Sequence, residues 1–194
     1  MIQRCTSFRR NSQNHVDLLT AACQGGHLDI VRYLVEQHDV HPGDEKSAGF
    51  GWACRNGHMD VVKYLMADPR VNASDDDCYG FRWAVQKGHT EIVRLLLKNA
   101  DMDKPHVNND MSFRHASAAG HTEIVRMLLN DERISPDAMD NYAIQWASKK
   151  GHYDVVKLLL EDSRVDSKAE GDCALKWAKA AGHTNIVELL LSKR

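Results

Sequence analysis

The dipeptide Gly-His recurs along the chain at a nearly fixed interval, and this regularity constrains the fold more than any other feature. Consecutive copies are 31 residues apart, except for one interval of 32. Self-similarity at a period of about 20 to 50 residues is typical of architectures in which each repeat packs against its neighbours. The six copies begin at Gly26, Gly57, Gly88, Gly120, Gly151 and Gly182. The sequence therefore predicts six similar structural units.

A helical pattern follows each Gly-His. One example is DVVKLL at residues 154–159, in which the apolar residues stand at the spacing i, i+1, i+4 and i+5. This spacing predicts a helix with a single buried stripe. Thr90, Thr122 and Thr184 come directly before the acid or amide that opens three of these helices. We expect these threonines to act as N-caps.

A second, shorter helix is predicted before each Gly-His. In every copy an alanine stands four residues before the glycine, where a small side chain lets neighbouring helices approach closely. Polar, acid-rich stretches separate one helix pair from the next and predict short loops. The predicted helices cover residues 16–25, 48–56, 79–87, 111–119, 142–150 and 173–181.

These units resemble ankyrin repeats from about residue 16 to the end of the chain. The resemblance implies an all-α ankyrin-repeat solenoid, with six helix-turn-helix repeats joined by short hairpin-like loops. We expect residues 1–15 to form an N-terminal extension or irregular cap and residues 16–194 to form one domain. The Thr-Pro-Leu-His opening common in the family is absent, so the first helix of each repeat must start differently. The shorter, tryptophan-bearing repeat resembles those of arrays in amoebae, protists and large DNA viruses.

All four tryptophans occupy one position of the repeat, five residues before the glycine. Two interpretations are open. A ladder of aromatic rings would stack bases or sugars, whereas an inter-repeat core would bury the same rings. Flanking core positions favour the buried interpretation. The four residues are Trp52, Trp83, Trp146 and Trp177.

The repeated histidines and the five cysteines predict no metal site and no disulfide framework. Stacked helices lie about 8 to 10 Å apart, whereas two nitrogens bound to one zinc ion lie within about 4 Å. We therefore expect each histidine to order its own inter-helix turn. No phosphate loop or nucleophile motif is present, so we expect no catalytic residue and no cofactor. An odd cysteine number and no long apolar run predict a cytoplasmic protein, in the host cytoplasm if it is a viral protein or an effector.

The resemblance implies partner binding at a concave surface formed by the first helices and the loops. The first helices carry bases and the loops carry acids, and two explanations stay open. Either a partner has the complementary charges, or the acids and bases compensate one another internally. The predicted partner-binding residues are Arg55, Asn56, Arg82, Gln86, Lys87, Arg114, Lys149 and Lys150 on the first helices, with Asp75, Asp76 and Asp77 on the loops.

The function predicted from these features is a non-catalytic module that binds another protein. Polyanion or nucleic-acid binding through the basic helices is the alternative, although a formal net charge of −2 weighs against it. A second alternative is that the chain is the ankyrin part of a larger effector or scaffold. We expect a monomer without membrane association, with a possible contact through the C-terminal repeat.

Overall fold

A computed structural model describes residues 15–38, 40–99 and 107–193, without the side chains of residues 44–47, 75–77 and 107–110. All regular secondary structure in these ranges is helical. The loops between helix pairs consist there of turns and bends without paired strands. The prediction of an all-α fold built from repeated helix pairs is confirmed.

Each repeat contains a first and a second helix on either side of the Gly-His turn. The first helices are α1 (described over residues 15–25), α3 (Asp44–Asn56), α5 (Asp75–Lys87), α7 (Val107–Ala119), α9 (Ala138–Lys150) and α11 (Ala169–Ala180). The second helices are α2 (Leu28–Gln37), α4 (Met59–Met66), α6 (Thr90–Leu97), α8 (Thr122–Leu129), α10 (Tyr153–Leu159) and α12 (Thr184–Ser192).

The chain divides into two units, residues 1–103 and residues 104–194, and each is described by itself. In unit 1, α3 packs against α5, while α4 packs between α2 and α6. In unit 2, α9 packs between α7 and α11, and α10 packs between α8 and α12. Each unit is thus a layer of first helices against a layer of second helices. The single domain over residues 16–194 stays a prediction, and residues 1–14 of the predicted N-terminal cap lie outside the described residues.

The core of each unit lies between its two layers. The alanines four residues before each Gly-His are buried, with Ala53, Ala84 and Ala147 fully so. Phe50 and Phe81 fill the same layer in unit 1, as Phe113 does in unit 2. Fully burying a side chain of this size contributes about 1.5 to 3 kcal/mol. The apolar stripe predicted from the repeat therefore supplies the packing between neighbouring helix pairs.

The Gly-His turn ends the first helix and begins the second. Every glycine of the turn has a left-handed conformation, with φ between 76° and 83°. In one example, the backbone N–H of His58 donates to the carbonyl of Ala53 at 3.0 Å, which completes a Schellman motif around Gly57. The histidine is the N-cap residue of the second helix and makes no side-chain capping bond. The prediction that Thr90, Thr122 and Thr184 are N-caps is wrong, because each is the first helical residue.

Two of the first helices, α9 and α11, begin with a left-handed turn in place of the absent Thr-Pro-Leu-His opening. In α9 it covers residues 139–141, with φ of 54°, 56° and 62°, and in α11 it covers residues 170–172. Each such residue other than glycine costs about 1 to 2 kcal/mol. Hydrogen bonds compensate this strain: the N–H of Asn141 donates to the carbonyl of Asp137 at 2.9 Å. The Asn141 side chain accepts a bond from the N–H of Asp166 in the next loop at 2.7 Å.

Candidate functional site

The histidines of the Gly-His turns link neighbouring repeats. The Nε2–H of His58 donates to the backbone carbonyl of Gln24 at 2.9 Å, and the Nε2–H of His89 donates to the backbone carbonyl of Arg55 at the same distance. In unit 2, His152 donates to the backbone carbonyl of Ala118 at 3.0 Å, and His183 donates to the backbone carbonyl of Lys149 at 3.2 Å. The acceptors are last-turn carbonyls of the preceding first helix, which have no partner within that helix. The prediction that each histidine orders its own turn is therefore wrong for these four histidines, because the bond of each crosses to the preceding repeat.

The imidazole rings also pack on the glycines of the preceding repeat. A β-carbon added to Gly57 would lie 2.7 Å from Cε1 of His89, and one added to Gly151 would lie 2.7 Å from Cε1 of His183. Glycine is thus required both by its backbone conformation and by this close approach. Packing between neighbouring repeats therefore explains the recurring glycine and histidine of these turns.

The loops contain a second linking device, an Asp-x-Arg turn. Asp68 and Arg70 form a two-point ion pair, with Nη2 of the arginine 2.7 Å from Oδ2 of the aspartate. The same geometry recurs at Asp131 with Arg133 and at Asp162 with Arg164. Arg164 also donates to the carbonyl of Leu129, at the end of α8, at 2.9 Å. These loop charges are therefore used inside the fold.

The ion pairs change the acidity of the loop aspartates. Hydrogen bonds from the Arg164 guanidinium hold the pKa of Asp162 below its ordinary value, although partial burial acts in the opposite direction. The Arg70 guanidinium lowers the pKa of Asp68 in the same way. Both carboxylates are stabilised in the charged form that the turn requires.

The tryptophans lie at the edge of the core rather than inside it. All four rings are partly exposed, although the alanine that follows each one is buried. The core prediction is thus only partly right. In each unit, a cation two residues before the glycine lies over two consecutive indole rings. The Arg55 guanidinium carbon is 4.7 Å from the ring centroid of Trp52 and 3.8 Å from that of Trp83.

The equivalent cation in unit 2 is Lys149. Its Nζ atom is 4.4 Å from the ring centroid of Trp146 and 4.7 Å from that of Trp177. Lys150 adds a longer contact with Trp146 at 5.9 Å, as Lys87 does with Trp83 at 5.7 Å in unit 1. Cations at these distances are attracted to the faces of aromatic rings.

Two tyrosines extend the clusters. Tyr79 lies beside both unit 1 tryptophans, and its hydroxyl accepts a hydrogen bond from Nη1 of Arg55 at 3.2 Å. In unit 2, Arg114 lies 5.2 Å from the ring centroid of Tyr142. The unit 1 cluster consists of Trp52, Arg55, Tyr79, Trp83 and Lys87. The unit 2 cluster consists of Arg114, Tyr142, Trp146, Lys149, Lys150 and Trp177.

The other predicted binding residues have different surroundings. Asn56 donates to the carbonyl of Gln24 at 2.8 Å and so helps to join two repeats. On α5, Arg82 is half-buried and Gln86 is exposed, and both have interactions within the fold. The prediction that Asp75, Asp76 and Asp77 lie on a loop is wrong, because they form the first turn of α5. Their side chains lie outside the described part of the structure.

Sequence reasoning missed the aromatic members of these clusters. A usable signal was present, since Arg55 follows Trp52 by three residues and Lys149 follows Trp146 by the same interval. Residues three apart lie on the same face of a helix. The repeated tryptophan and the cation that follows it could therefore have been read as one unit.

The ion pairs bear on the idea of internal charge compensation. Three lie in the Asp-x-Arg turns, and two join Glu91 to Arg94 and Glu123 to Arg126 on second helices. Among the described side chains, none of these pairs includes Arg55, Lys87, Lys149 or Lys150. Aromatic rings, rather than carboxylates, hold these first-helix cations.

Titratable groups elsewhere have pKa values explained by packing. Burial raises the pKa of the Cys23 thiol to about 12 and raises that of Cys54 as well, which disfavours the nucleophilic thiolate. Burial, together with neighbouring Arg114, lowers the pKa of His115. Within residues 15–38, 40–99 and 107–193, no group of three metal-ligating side chains is found. In the same ranges no helix has the length and apolar character to cross a membrane.

Comparison with known proteins gives one family. The family model for ankyrin repeats, which represents three copies, matches residues 2–77, 19–106, 50–140 and 113–194 in overlapping segments. No curated protein matches the chain.

Proposed function

Because the chain belongs to the ankyrin-repeat family, we propose that it is a non-catalytic module that binds a protein partner through its first helices and adjoining loops. Ankyrin repeats are generally protein-interaction modules. The family resemblance assigns this surface to the concave side. The proposed contact residues are the predicted ones, namely Arg55, Asn56, Arg82, Gln86, Lys87, Arg114, Lys149, Lys150 and Asp75 to Asp77, with the tryptophans of the two clusters added.

The observation that carries this proposal is the partial exposure of repeated aromatic rings beside cations. Trp, Tyr and Arg are the residue types that most often dominate the binding energy of protein interfaces. Contacts within the fold use the glycines and histidines of the turns and the arginines of the loops. Trp146 and Trp177, in contrast, keep part of their surface open to solvent. A partner that covered these rings would bury apolar surface without disturbing the bonds between repeats.

We assign this function to a monomer in the cytoplasm. The described cysteines support a reducing compartment, since Cys23, Cys54 and Cys173 are free thiols, and disulfides are rare there. A larger effector or scaffold that contains these repeats would use the same surface.

The test is capture of partners from a cell lysate, followed by mass spectrometry. The test variant carries Lys87→Glu, Lys149→Glu and Lys150→Glu. A matched control carries Lys63→Glu, Lys98→Glu and Lys157→Glu, which change three exposed lysines in or directly after second helices and give the same total charge. We expect a protein that the wild type and the control capture and that the test variant loses. Equal capture by both variants would place the binding surface elsewhere.

A further inference from the structure

The unit 2 cluster has the chemistry of a receptor for carboxylates. We infer that the partner's contact with it is an acidic peptide segment, whose Asp or Glu side chains pair with Lys149, Lys150 and the lysines of α11. This inference rests on the proposed function and specifies the chemistry of the partner.

The right-handed parts of α9 and α11, after the acidic first turns at Asp140 and Asp172, have charges of one sign. Lys149 and Lys150 on α9 are exposed, as are Lys176 and Lys179 on the adjacent α11. Residues 141–153 and 173–187 contain no aspartate or glutamate. The described ion pairs of unit 2 involve only other side chains. Four cations without a described carboxylate partner create a local positive potential that favours an anionic ligand.

The position of Lys149 over two indole rings prepares it for this contact. A flexible lysine loses side-chain entropy when it forms an ion pair. Contacts of 4.4 and 4.7 Å with the rings of Trp146 and Trp177 hold the ammonium in place before a ligand arrives. The rings do not neutralise its charge, and an ammonium group has three hydrogen-bond donors. Part of the ordering cost is therefore met within the free protein.

The unit 1 cluster has a similar composition, but its cation is less available to a ligand. Arg55 is half-buried, whereas Lys149 is exposed. The Arg55 guanidinium also donates to the Tyr79 hydroxyl at 3.2 Å and lies as close as 3.8 Å to a ring centroid. Its donors and its surface are partly used inside the fold. The inference is therefore confined to unit 2.

The geometry favours a peptide over a single-stranded nucleic acid. Proteins that bind single strands stack bases on the faces of aromatic side chains. Lys149 already covers one face of both Trp146 and Trp177. These two rings are also in an edge-to-face contact with each other, with centroids 5.6 Å apart and planes at 77°. Successive bases would have to displace the lysine, whereas a carboxylate would bind to it.

The experiment is a selection of random peptides displayed on phage, with the full chain as the target. We expect the selected peptides to be enriched in Asp and Glu relative to the starting library. The test variant is Lys149→Gln with Lys150→Gln, and the matched control is Lys157→Gln with Lys168→Gln, two exposed lysines of the same unit. The enrichment should disappear with the test variant and persist with the control.

Affinity measurements on the best selected peptide complete the test. We expect the test variant to weaken binding about tenfold, which corresponds to the loss of two exposed ion pairs. Lys149→Arg should retain binding, because Arg55 shows that a guanidinium can lie over two tryptophan rings of these repeats. Raising the salt concentration from about 0.05 to 0.3 M should weaken binding, because salt screens exposed charges.

Three results would overturn the inference. One is a selection without acidic enrichment, and another is an acidic peptide that binds the test variant as tightly as the wild type. The third is tighter binding of oligothymidylate than of the peptide, with loss in the test variant. If a partner from the lysate still depends on Lys87, Lys149 and Lys150 in any of these cases, the proposed function survives and only the acidic segment is rejected. If that dependence is also absent, both fail.

Discussion

The Gly-His turns and the cation-tryptophan clusters are both repeated, yet they differ in what their polar groups contact. The imidazole of His152 donates to a backbone carbonyl of the preceding repeat and packs on its glycine. The ammonium of Lys149 lies over two aromatic faces and stays exposed. Repetition at the first site reflects a bond that joins neighbouring repeats within each unit. Repetition at the second leaves charge and apolar surface open to a partner.

This difference separates two meanings of a recurring residue. A position whose donors are all used between repeats is fixed by stability, and its replacement should affect folding. A position that repeats while partly exposed can be replaced at a smaller cost in stability. Measurements of unfolding should therefore rank the two sites in a definite order.

The largest expected effect is at the glycine of the turn. Gly151→Ala should lower the free energy of unfolding by about 3 kcal/mol, since a left-handed alanine costs about 1 to 2 kcal/mol and displacing the His183 ring loses its hydrogen bond. Gly182 has the same conformation, but a β-carbon there would have no heavy atom within 4 Å. Gly182→Ala should therefore cost only about 1 kcal/mol. Urea unfolding of the two variants measures the difference, and equal values would reject the steric role of the histidine.

Removal of a histidine from the turn should have the next largest effect. His152→Ala leaves the carbonyl of Ala118 without its donor and removes the ring that covers Gly120. We expect a loss of about 2 kcal/mol in the free energy of unfolding. His115→Ala serves as the comparison, because this half-buried histidine occupies the tryptophan position of its repeat instead. A loss at His152 no greater than that at His115 would contradict the linking role.

A tryptophan of the clusters should contribute less to stability than the turn does. Trp177→Leu keeps an apolar side chain at a partly exposed position, so we expect a loss of about 1 kcal/mol. Calorimetry of this variant beside His152→Ala makes the comparison direct. A larger loss for Trp177→Leu would restore the interpretation of the tryptophans as core residues.

The smallest effect concerns the loop aspartates and pH. The folded-state pKa of Asp162 is lowered, so its charged form adds stability above the unfolded pKa of about 3.9. This contribution disappears as the pH falls through the lower, folded-state value. The difference in melting temperature between wild type and Asp162→Asn should therefore be present at neutral pH and shrink below about pH 4. A difference that stays constant down to acid pH would show that the ion pair with Arg164 adds no stability.

Much of the fold follows from the period and the apolar pattern. Residues such as Ala53 and Phe81 recur at positions where only packing between neighbours explains them, and the helix pairs form as expected. The predicted starts at Tyr142 and Cys173 agree with the right-handed parts of α9 and α11. The left-handed turns before them were not predicted, because residues such as Met139 and Glu170 have no intrinsic preference for that conformation. Bonds from the surrounding chain hold them there.

The candidate site was less accessible to sequence reasoning. The basic residues were found, because charge on a predicted helix face is visible in the sequence. The exposure of Trp146 was not predicted, because its position is flanked by core residues. A ring of this size is only partly covered at that position. The partner of each histidine was also missed, since the bond joins residues 34 apart, as between His152 and Ala118.

The direction of the histidine bonds has a consequence for how such a chain changes length. At every described link the later repeat supplies the donor and the earlier repeat supplies the carbonyl, always at the same two positions. A duplicated segment of one period therefore brings one donor and one acceptor, and it leaves both of its junctions complete. Unequal recombination in the gene can add or remove a repeat without creating an unmatched interface, while the cations and rings of the added copy remain free to diverge.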